Sequence, residues 1–295
     1  MTTSGTDELA TLRRLVLRAA PRLRRPLPWV GSSDGWAVLV SEIMLQQTPA
    51  PRVIGPWERF VARYPTPAAL ADRPLADVLR EWRGLGYPRR ARDLQAAARR
   101  IVEHHGGQVP SDPAVLRTLP GVGPYTAAAV ASFAFGRPVA VIDTNVGRIL
   151  ARAVAGRPLR PVEARDLAER FLARRAPARF NQALLDLGAQ HCRSVPRCDG
   201  CPLASRCRWL GDGGPDPAAR SAGVSRAQSP YRGSQRELRG RILEVLGAGS
   251  LSLAQLIASI SAPDAERVGS AVNGLVHDGL IEWRDGGLAL RGETR

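Results

Sequence analysis

The acidic residue Glu42 has apolar neighbours in the sequence. Glu42 lies in the stretch "WAVLVSEIMLQQT", where Val38, Leu39 and Leu45 are its helical neighbours three or four positions away. A carboxyl among apolar side chains is desolvated, which raises its pKa and keeps it protonated near neutrality. That is the property of a general acid. The alternative is an acid on a helix face turned towards solvent.

A second acidic residue has different surroundings. Asp143 follows the apolar run "VAVI" and precedes "TNVGRILARAV", so it stands where the N-cap of a helix belongs. Backbone N–H donors at an N-cap would hold its carboxylate ionised, although an aspartate in this position is commonly structural. Together Glu42 and Asp143 predict carboxyls whose environments separate their pKa values. Cleavage of a glycosidic bond uses this arrangement.

The stretch "LPGVGPYTA" predicts a tight turn that leads directly into a helix. Gly121 and Gly123 let backbone amides approach a ligand closely, and Pro124 favours the first helical turn. Free N–H groups at a helix N-terminus bind anions such as a DNA phosphate. The alternative interpretation is an ordinary corner between two helices.

All four cysteines fall within sixteen residues, with the spacing C-x5-C-x2-C-x5-C. They are Cys192, Cys198, Cys201 and Cys207. Because the N-terminal residues show no secretory signal, this clustering indicates a metal site in preference to a disulfide framework. Four thiolates suit either tetrahedral zinc or an iron–sulfur cluster, and the spacing does not choose between them.

The elements that must position these residues are helical. From about Asp7 to Cys192 the apolar periodicity predicts one helix after another, without the alternation of strands. Residues 211–232 are rich in Gly, Pro and Ser and predict a linker. Residues 233–295 predict three helices and a hairpin turning at Asp285-Gly286-Gly287, which is typical of a small α+β winged-helix-like module.

The charge distribution favours a nucleic-acid partner. Residues 1–210 contain 32 arginines and 17 acidic residues, whereas residues 211–295 contain ten of each, so the net charge of +15 belongs to the first part. Such a field attracts a polyanion, although a GC-rich genome also encodes arginine freely. No apolar run reaches the ~20 residues of a membrane span. We therefore expect a cytoplasmic protein without a membrane partner.

Several motifs together resemble the adenine DNA glycosylases of the endonuclease III superfamily, which carry the helix-hairpin-helix motif. The motifs are "LPW" at 27–29, "SEIMLQQT" at 41–48, "GLGY" at 84–87, "LPGVGPYTA", "DTNVGRIL" and "FNQALLDLGA". This resemblance implies an all-α, two-lobed glycosylase domain over residues 1–210 that grips DNA between its lobes and flips out the target base. It also implies the lobe boundaries, which are a six-helix barrel at 28–137 and an iron–sulfur lobe at 7–27 and 138–210.

The resemblance also implies roles for individual residues. Glu42 matches the acid that protonates adenine N7, Asp143 the carboxylate that stabilises the sugar cation, and Asn145 a residue that supports Asp143 and the attacking water. The resemblance further implies an adenine pocket, side chains that wedge into the duplex, and contacts to the DNA backbone. These sets are Trp29 and Gln182 for the pocket, Gln47 and Tyr87 for the wedge, and Gly121, Gly123, Tyr125 and Thr126 for the backbone. The family favours a [4Fe–4S] cluster on the four cysteines, although its usual first gap is six residues and here it is five.

The lack of lysine restricts the chemistry. A β-elimination lyase needs an amine for its Schiff base, and Tyr125 stands where the lyase members of the superfamily carry a lysine. We therefore expect a monofunctional enzyme, and the resemblance implies a monomeric glycosylase that excises adenine opposite 8-oxoguanine or guanine in double-stranded DNA. The alternatives are a thymine or uracil mismatch glycosylase and a catalytically inactive DNA-binding relative. The family's usual C-terminal domain, which helps recognise 8-oxoguanine, has no recognisable counterpart after the linker.

Overall fold

The computed structural model describes residues 3–224, 230–260 and 264–293, and within them the chain forms fifteen α-helices and two β-strands. The helices up to residue 212 are α1 (Thr3–Leu23), α2 (Gly35–Leu45), α3 (Ala50–Arg63), α4 (Pro67–Ala71), α5 (Leu75–Glu81), α6 (Arg89–His105), α7 (Pro113–Leu116), α8 (Pro124–Phe135), α9 (Thr144–Ile149), α10 (Pro161–Phe171), α11 (Pro177–Gln190) and α12 (Arg208–Asp212). The later elements are α13 (Gln235–Leu246), α14 (Leu253–Ile260), α15 (Ala265–His277), β1 (Ile281–Arg284) and β2 (Gly287–Leu290). The predicted helical character of the first part and the small C-terminal strand pair are both confirmed.

Glycine and proline define the limits of the helices that carry the motifs. Gly106 ends α6 in the left-handed conformation. Pro124 begins α8 immediately after the extended Gly123, and Gly136 ends it with a left-handed backbone. Since glycine alone adopts that conformation without steric cost, these positions set where each helix stops.

Contacts divide the chain into two compact units, which are described separately below. The first unit contains Met1–Val38, Ser111–Ala114 and Gly123–Ala227, and the second contains Leu39–Pro110, Val115–Val122 and Gln228–Arg295. The boundaries predicted for the lobes, the linker and the C-terminal module stay predictions.

The core of the first unit forms where α1 and α11 pack together and α9 packs on α11. Leu12 and Val16 on α1 are fully buried in it. Phe171 and Phe180 meet edge to face, with ring centroids 5.1 Å apart, a geometry that adds to the energy of burial alone. Beyond Ile149, α9 continues into a π-helical turn over Leu150–Ala155.

The core of the second unit is built on aromatic side chains from α3 and the residues that follow α5. Phe60 lies edge to face against both Tyr64 and Trp82, at centroid distances of 4.9 and 5.9 Å. Helix α6 packs against α4 and α5 in the same unit. These contacts fix the turn between α5 and α6, which carries the "GLGY" motif.

The last part of the second unit, residues 230–260 and 264–293, is called the C-terminal module here. Its helices bury apolar residues against the hairpin, in which Ile281 pairs with Leu290 and Arg284 with Gly287. Asp285 and Gly286 form the turn with left-handed backbones, which is the type I′ geometry favoured by Asp-Gly. Gly287, predicted as part of the turn, instead begins β2, because it pairs with Arg284.

The first half of the predicted linker has fixed contacts within the first unit. The carboxylate of Asp216 accepts a hydrogen bond of 2.8 Å from Arg152 Nε, and the amide of Ala222 donates to the carbonyl of Leu159 at 2.8 Å. Residues 225–229 lie outside the described residues. Among the described helices, none is long and apolar enough to cross a membrane.

Candidate active site

Glu42 lies on α2 in the second unit and is only 4% exposed. Leu39, Ile43 and Met44 on the same helix are fully buried. The carboxyl is therefore sheltered from water, as the apolar sequence around it predicts, and the solvent-facing alternative is excluded.

Asp143 lies in the first unit and caps α9, which confirms the predicted N-cap. Its Oδ1 accepts a hydrogen bond from the amide of Val146 at 2.8 Å, and its Oδ2 accepts one from Asn145 Nδ2 at 2.6 Å. Asn145 Oδ1 in turn accepts from Arg148 Nη2. This chain of hydrogen bonds fixes the direction of the carboxylate and brings Asp143 and Asn145 together, as expected.

The pKa of Asp143 is also affected by a cause that the sequence does not show. Burial raises the pKa of Asp143 above its ordinary value, even though the bonds from Val146 and Asn145 and the charge of Arg148 act to lower it. The sequence reveals the N-cap donors but not how deeply the carboxyl is sheltered by other elements. Burial is the larger effect on the direction of the pKa, and the donors expected from the sequence act against it.

Helix α11 holds the segment that leads into Asp143. The side chain of Asn181 donates to Ser132 Oγ at 2.8 Å and to the carbonyl of Val139 at 2.9 Å. At Gly188 the same helix approaches α9 so closely that a Cβ atom would lie 2.5 Å from Cβ of Asn145. The "FNQALLDLGA" stretch therefore holds the backbone that precedes Asp143 and packs against Asn145.

An ion pair between the buried Asp186 and the half-buried Arg25 lies beside Gln182. Asp186 is 1% exposed, and its Oδ1 accepts hydrogen bonds from Arg25 Nε at 2.6 Å and Gln182 Nε2 at 3.0 Å. Trp29, the other predicted pocket residue of the first unit, is also buried. The sequence analysis missed Arg25 and Asp186. The only available signal was an acidic residue on the apolar side of a helix, the same signal that Glu42 shows.

The glycine-rich turn has the geometry that its sequence predicts. Gly121 has a left-handed backbone with φ of 75°. It packs against Asp93 so closely that a Cβ atom added at Gly121 would lie 3.0 Å from Cβ of Asp93. Gly123 is exposed and stands at the N-terminus of α8. Tyr125 follows in the first turn, half-buried, whereas Thr126 is 2% exposed. The side chain of Thr126 thus belongs to the interior.

The two predicted wedge residues, both in the second unit, share an unusual backbone. Three non-glycine residues of the described chain have left-handed φ values, and two of them are Gln47 at 61° and Tyr87 at 47°. Such backbones are strained and persist only where surrounding contacts enforce them, which is a frequent property of functional sites. The side chain of Gln47 is exposed, and that of Tyr87 is half-buried.

Arg90, which the sequence analysis did not identify, supplies those contacts. It is 8% exposed, and its guanidinium donates hydrogen bonds to both turns. The acceptors are the carbonyls of Ile43, Met44 and Gln46 and Thr48 Oγ1 on one side, and the carbonyls of Leu85 and Gly86 on the other, at 2.6–3.0 Å. Burial lowers the pKa of Arg90 to about 10. The guanidinium therefore ties the end of α2, which carries Glu42, to the two turns that contain Gln47 and Tyr87.

The four cysteines lie around one small cavity in the first unit. All four side chains are half-buried free thiols. The wall between them is largely apolar and includes Ile149, Leu187, Leu203 and Trp209. The structure thus brings together the four residues that the spacing groups.

Two arginines of α9 and its π-helical continuation fix the cysteine loop. Arg152 is 1% exposed and donates to the carbonyl of Arg193 at 2.6 Å, with Nη1 3.5 Å from Cys192 Sγ. Arg148 donates to the carbonyl of Cys192. Burial raises the pKa of the Cys192 thiol, and the charges of both arginines oppose that rise. The two cations would therefore favour a negatively charged thiolate group in the cavity.

The arrangement of the thiols bears on the kind of metal centre. A single zinc ion holds its sulfurs at about 2.3 Å, which draws all four within about 4 Å of one another. Within the described residues, no set of three or more His, Cys, Asp or Glu side chains is placed to hold one ion. Four thiols around one cavity are a donor set for either a zinc ion or a multi-iron cluster, so the kind of metal centre stays a prediction.

Comparison with known proteins was consistent with these features. The model of the HhH-GPD superfamily base excision DNA repair proteins matches residues 40–174. An adenine DNA glycosylase of Mycobacterium tuberculosis is 43% identical over 282 residues, which cover 92% of this chain and 91% of that protein. A human adenine DNA glycosylase is 38% identical over 216 residues, covering 68% of this chain and 40% of the human protein.

A solved structure has the same fold. It is a thermostable thymine-DNA glycosylase, with a TM-score of 0.65 and 27% identity, covering 70% of this chain and 98% of that one.

Proposed function

Because the chain belongs to the adenine DNA glycosylase family of the HhH-GPD superfamily, we propose that it excises adenine paired with 8-oxoguanine or guanine in double-stranded DNA. The family makes the protein a base excision repair enzyme that acts on N-glycosidic bonds. The choice of adenine and of these two mispairs is the proposal, and it rests on the named relatives and on the site residues.

The observation that carries the proposal is the contrast between two carboxyls. Glu42 is sheltered from water, so it suits the donation of a proton to adenine N7. Asp143 is directed by the amides of Val146 and Asn145, so its carboxylate suits the stabilisation of positive charge on the sugar. The C1′–N9 bond breaks, its electron pair leaves with adenine, and water adds at C1′ to give an abasic site. Asn145 would orient that water.

The proposed enzyme is monofunctional. Lyase chemistry needs an amine that forms a Schiff base with C1′, and no side chain of this lysine-free sequence provides one. Tyr125 occupies the corresponding position in the first turn of α8. Hydrolysis therefore ends at the abasic site with the DNA strand intact.

Contacts to DNA are proposed at the glycine-rich turn and at the strained residues. The exposed residues Gly121 and Gly123 would bind a backbone phosphate through their amides, and Tyr125 and Thr126 follow them in the first turn of α8. Gln47 and Tyr87 would enter the duplex beside the mispair. Trp29 and Gln182 would line the adenine pocket, and the bond from Gln182 Nε2 to Asp186 sets the direction of that amide.

A [4Fe–4S] cluster is proposed on Cys192, Cys198, Cys201 and Cys207. When bound, the cluster would cross-link the loop and leave the excision chemistry to the carboxyls. Arg148 and Arg152 would balance its charge, since they already contact Cys192.

The C-terminal module is proposed to have a winged-helix-like fold. Three helices precede the hairpin, and Leu251 forms an additional antiparallel bridge with Leu288 of β2. The domain limits proposed with it are a glycosylase domain over residues 1–210, a linker at 211–232 and the module at 233–295.

A panel of duplexes tests the substrate. Single-turnover base release is measured on otherwise identical duplexes containing A:8-oxoG, A:G, T:G and U:G. We expect release of adenine from the first two and an unbroken strand until the abasic site is treated with alkali. Release of thymine or uracil without adenine would replace this proposal with the second candidate, a mismatch thymine or uracil glycosylase, which the likeness to a thymine-DNA glycosylase favours. A protein that binds all four duplexes and releases no base would be the inactive relative.

A further inference from the structure

Arg236 of the C-terminal module contacts Tyr87, although 149 residues separate them in the chain. Arg236 Nη1 donates a hydrogen bond of 2.8 Å to Tyr87 Oη. The same guanidinium lies 5.8 Å from the centroid of the tyrosine ring, which is within the range of a cation–π contact. One arginine thus contacts both the hydroxyl and the face of this ring.

A second arginine contacts the same ring. The guanidinium of Arg90 lies 5.4 Å from the centroid of Tyr87, and Arg90 also binds the backbone of the turn that contains Tyr87. Because the backbone of Tyr87 is left-handed, its conformation depends on such contacts. Arg90 fixes the main chain, and Arg236 acts at the far end of the side chain.

Arg236 is itself held in place, because α13 is anchored at its opposite end. Arg80 Nε donates to the carbonyl of Gly247 at 3.0 Å, and Arg83 Nη2 donates to the carbonyl of Glu244 at 3.2 Å. Cations at the carbonyl end of a helix also interact favourably with the helix dipole. Arg80 further pairs with Glu293 near the end of the module. The position of Arg236 is therefore set by the docking of the whole module.

The contact between Arg236 and Tyr87 lies at a surface that a ligand can reach. Both residues line a cavity of about 460 Å³, and Gln47 and Tyr231 line the same cavity. The other strained residue, Gln47, opens onto the same space.

We propose that Arg236 is a positioning residue for Tyr87, so that the C-terminal module forms part of the apparatus that recognises the mispair. The proposal rests on the proposed function of Tyr87 as a wedge. An aromatic wedge loses rotational freedom when it enters a duplex. Arg236 restricts the ring before DNA binds, so less freedom is lost on binding. The module would thereby add to recognition of the mispair without contacting a base.

The test is a double-mutant cycle on the full-length protein, with Arg236→Met, Tyr87→Phe and both together. Affinity is measured by fluorescence anisotropy for a duplex with 8-oxoguanine opposite 2′-fluoro-2′-deoxyadenosine, which resists cleavage, and for a fully paired duplex. We expect each single variant to lower the preference for the mispair about five- to tenfold, and the double variant to lower it no further than the stronger single one. Arg232→Met, which removes the same charge from an exposed position four residues earlier, should leave the preference unchanged.

Two results would overturn the inference. One is an Arg236→Met protein whose preference matches that of Arg232→Met, and the other is a double variant in which the two losses multiply. Thermal melting checks that each variant folds, and Arg236→Gln replaces Arg236→Met if the latter does not. Since the readout is binding alone, an enzyme that releases no adenine contradicts the proposed function without altering the outcome of this cycle.

Discussion

Asn145 donates a 2.6 Å hydrogen bond to the same carboxyl, that of Asp143, whose burial raises its pKa. The two effects oppose each other, since the bond favours the ionised form and burial disfavours it. How acidic a solution the proposed enzyme tolerates therefore depends on a neighbouring amide as well as on the aspartate itself.

The pH dependence of excision should reveal this balance. The reaction needs ionised Asp143, so the rate should fall as the pH drops through a raised pKa, at higher pH than an ordinary aspartate of about 3.9 would give. Asn145→Ala removes a donor that lowers the pKa, and we expect the acid limb of the single-turnover profile to move to still higher pH. A slower enzyme whose acid limb does not move would show that Asn145 acts on the water and not on the carboxyl.

Replacing either carboxyl, that of Glu42 or that of Asp143, by the corresponding amide should abolish excision and leave DNA binding intact. Glu42→Gln removes the proton donor and Asp143→Asn removes the negative charge, and we expect each to slow adenine release at least about 100-fold. Glu58→Gln, at an exposed site on α3, and Asp264→Asn, at the N-cap of α15, are matched controls that should retain the wild-type rate. Unchanged turnover in either test variant means that its role is wrongly assigned.

The close approach of α11 to α9 predicts an effect from a single methyl group. Gly188→Ala would place Cβ 2.5 Å from Cβ of Asn145, so Asn145 must move, with a loss of about 1–3 kcal/mol in the free energy of unfolding and about tenfold slower excision. Gly269→Ala in α15 meets no atom within 4 Å and should stabilise the protein by up to about 1 kcal/mol. Chemical denaturation and single-turnover rates measure both variants. If Gly188→Ala and Gly269→Ala had the same stability and the same excision rate, α11 and α9 would be able to move apart without a loss of free energy.

The cysteine loop makes a prediction about metal content. Protein purified without oxygen should be brown, with about four irons and about four sulfides per chain. Cys201→Ser should lose most of this iron, because one of the four ligands is replaced. Stoichiometric zinc in the wild-type protein, measured by elemental analysis, would contradict the cluster assignment.

Features that depend on short stretches of sequence were predictable. The N-cap at Asp143, the proline start of α8 and the turn at Asp285 and Gly286 each follow from residues within three or four positions. Glu42 was also predictable as a buried acid, because helical periodicity places apolar residues on either side of it. Local rules were sufficient in these cases because the physical cause is itself local.

Features that depend on distant partners were not predictable. The chain has 42 arginines and no lysine, and nothing in the spacing of Arg90 or Arg152 separates them from arginines at the surface. Their burial depends on carbonyls and thiols supplied by other parts of the chain. The raised pKa of Asp143 has the same origin, since sequence neighbours supply its hydrogen bonds while packed elements remove its water.

The hydrogen bonds of Arg90 join two turns before any substrate arrives. The free energy needed to hold Gln47 and Tyr87 in unfavourable backbone conformations is supplied once, when the chain folds. An enzyme that scans long stretches of intact DNA meets few damaged pairs, and each meeting is brief. With the proposed wedge residues Gln47 and Tyr87 already in position, the proposed enzyme would need no backbone rearrangement at each base pair that it tests.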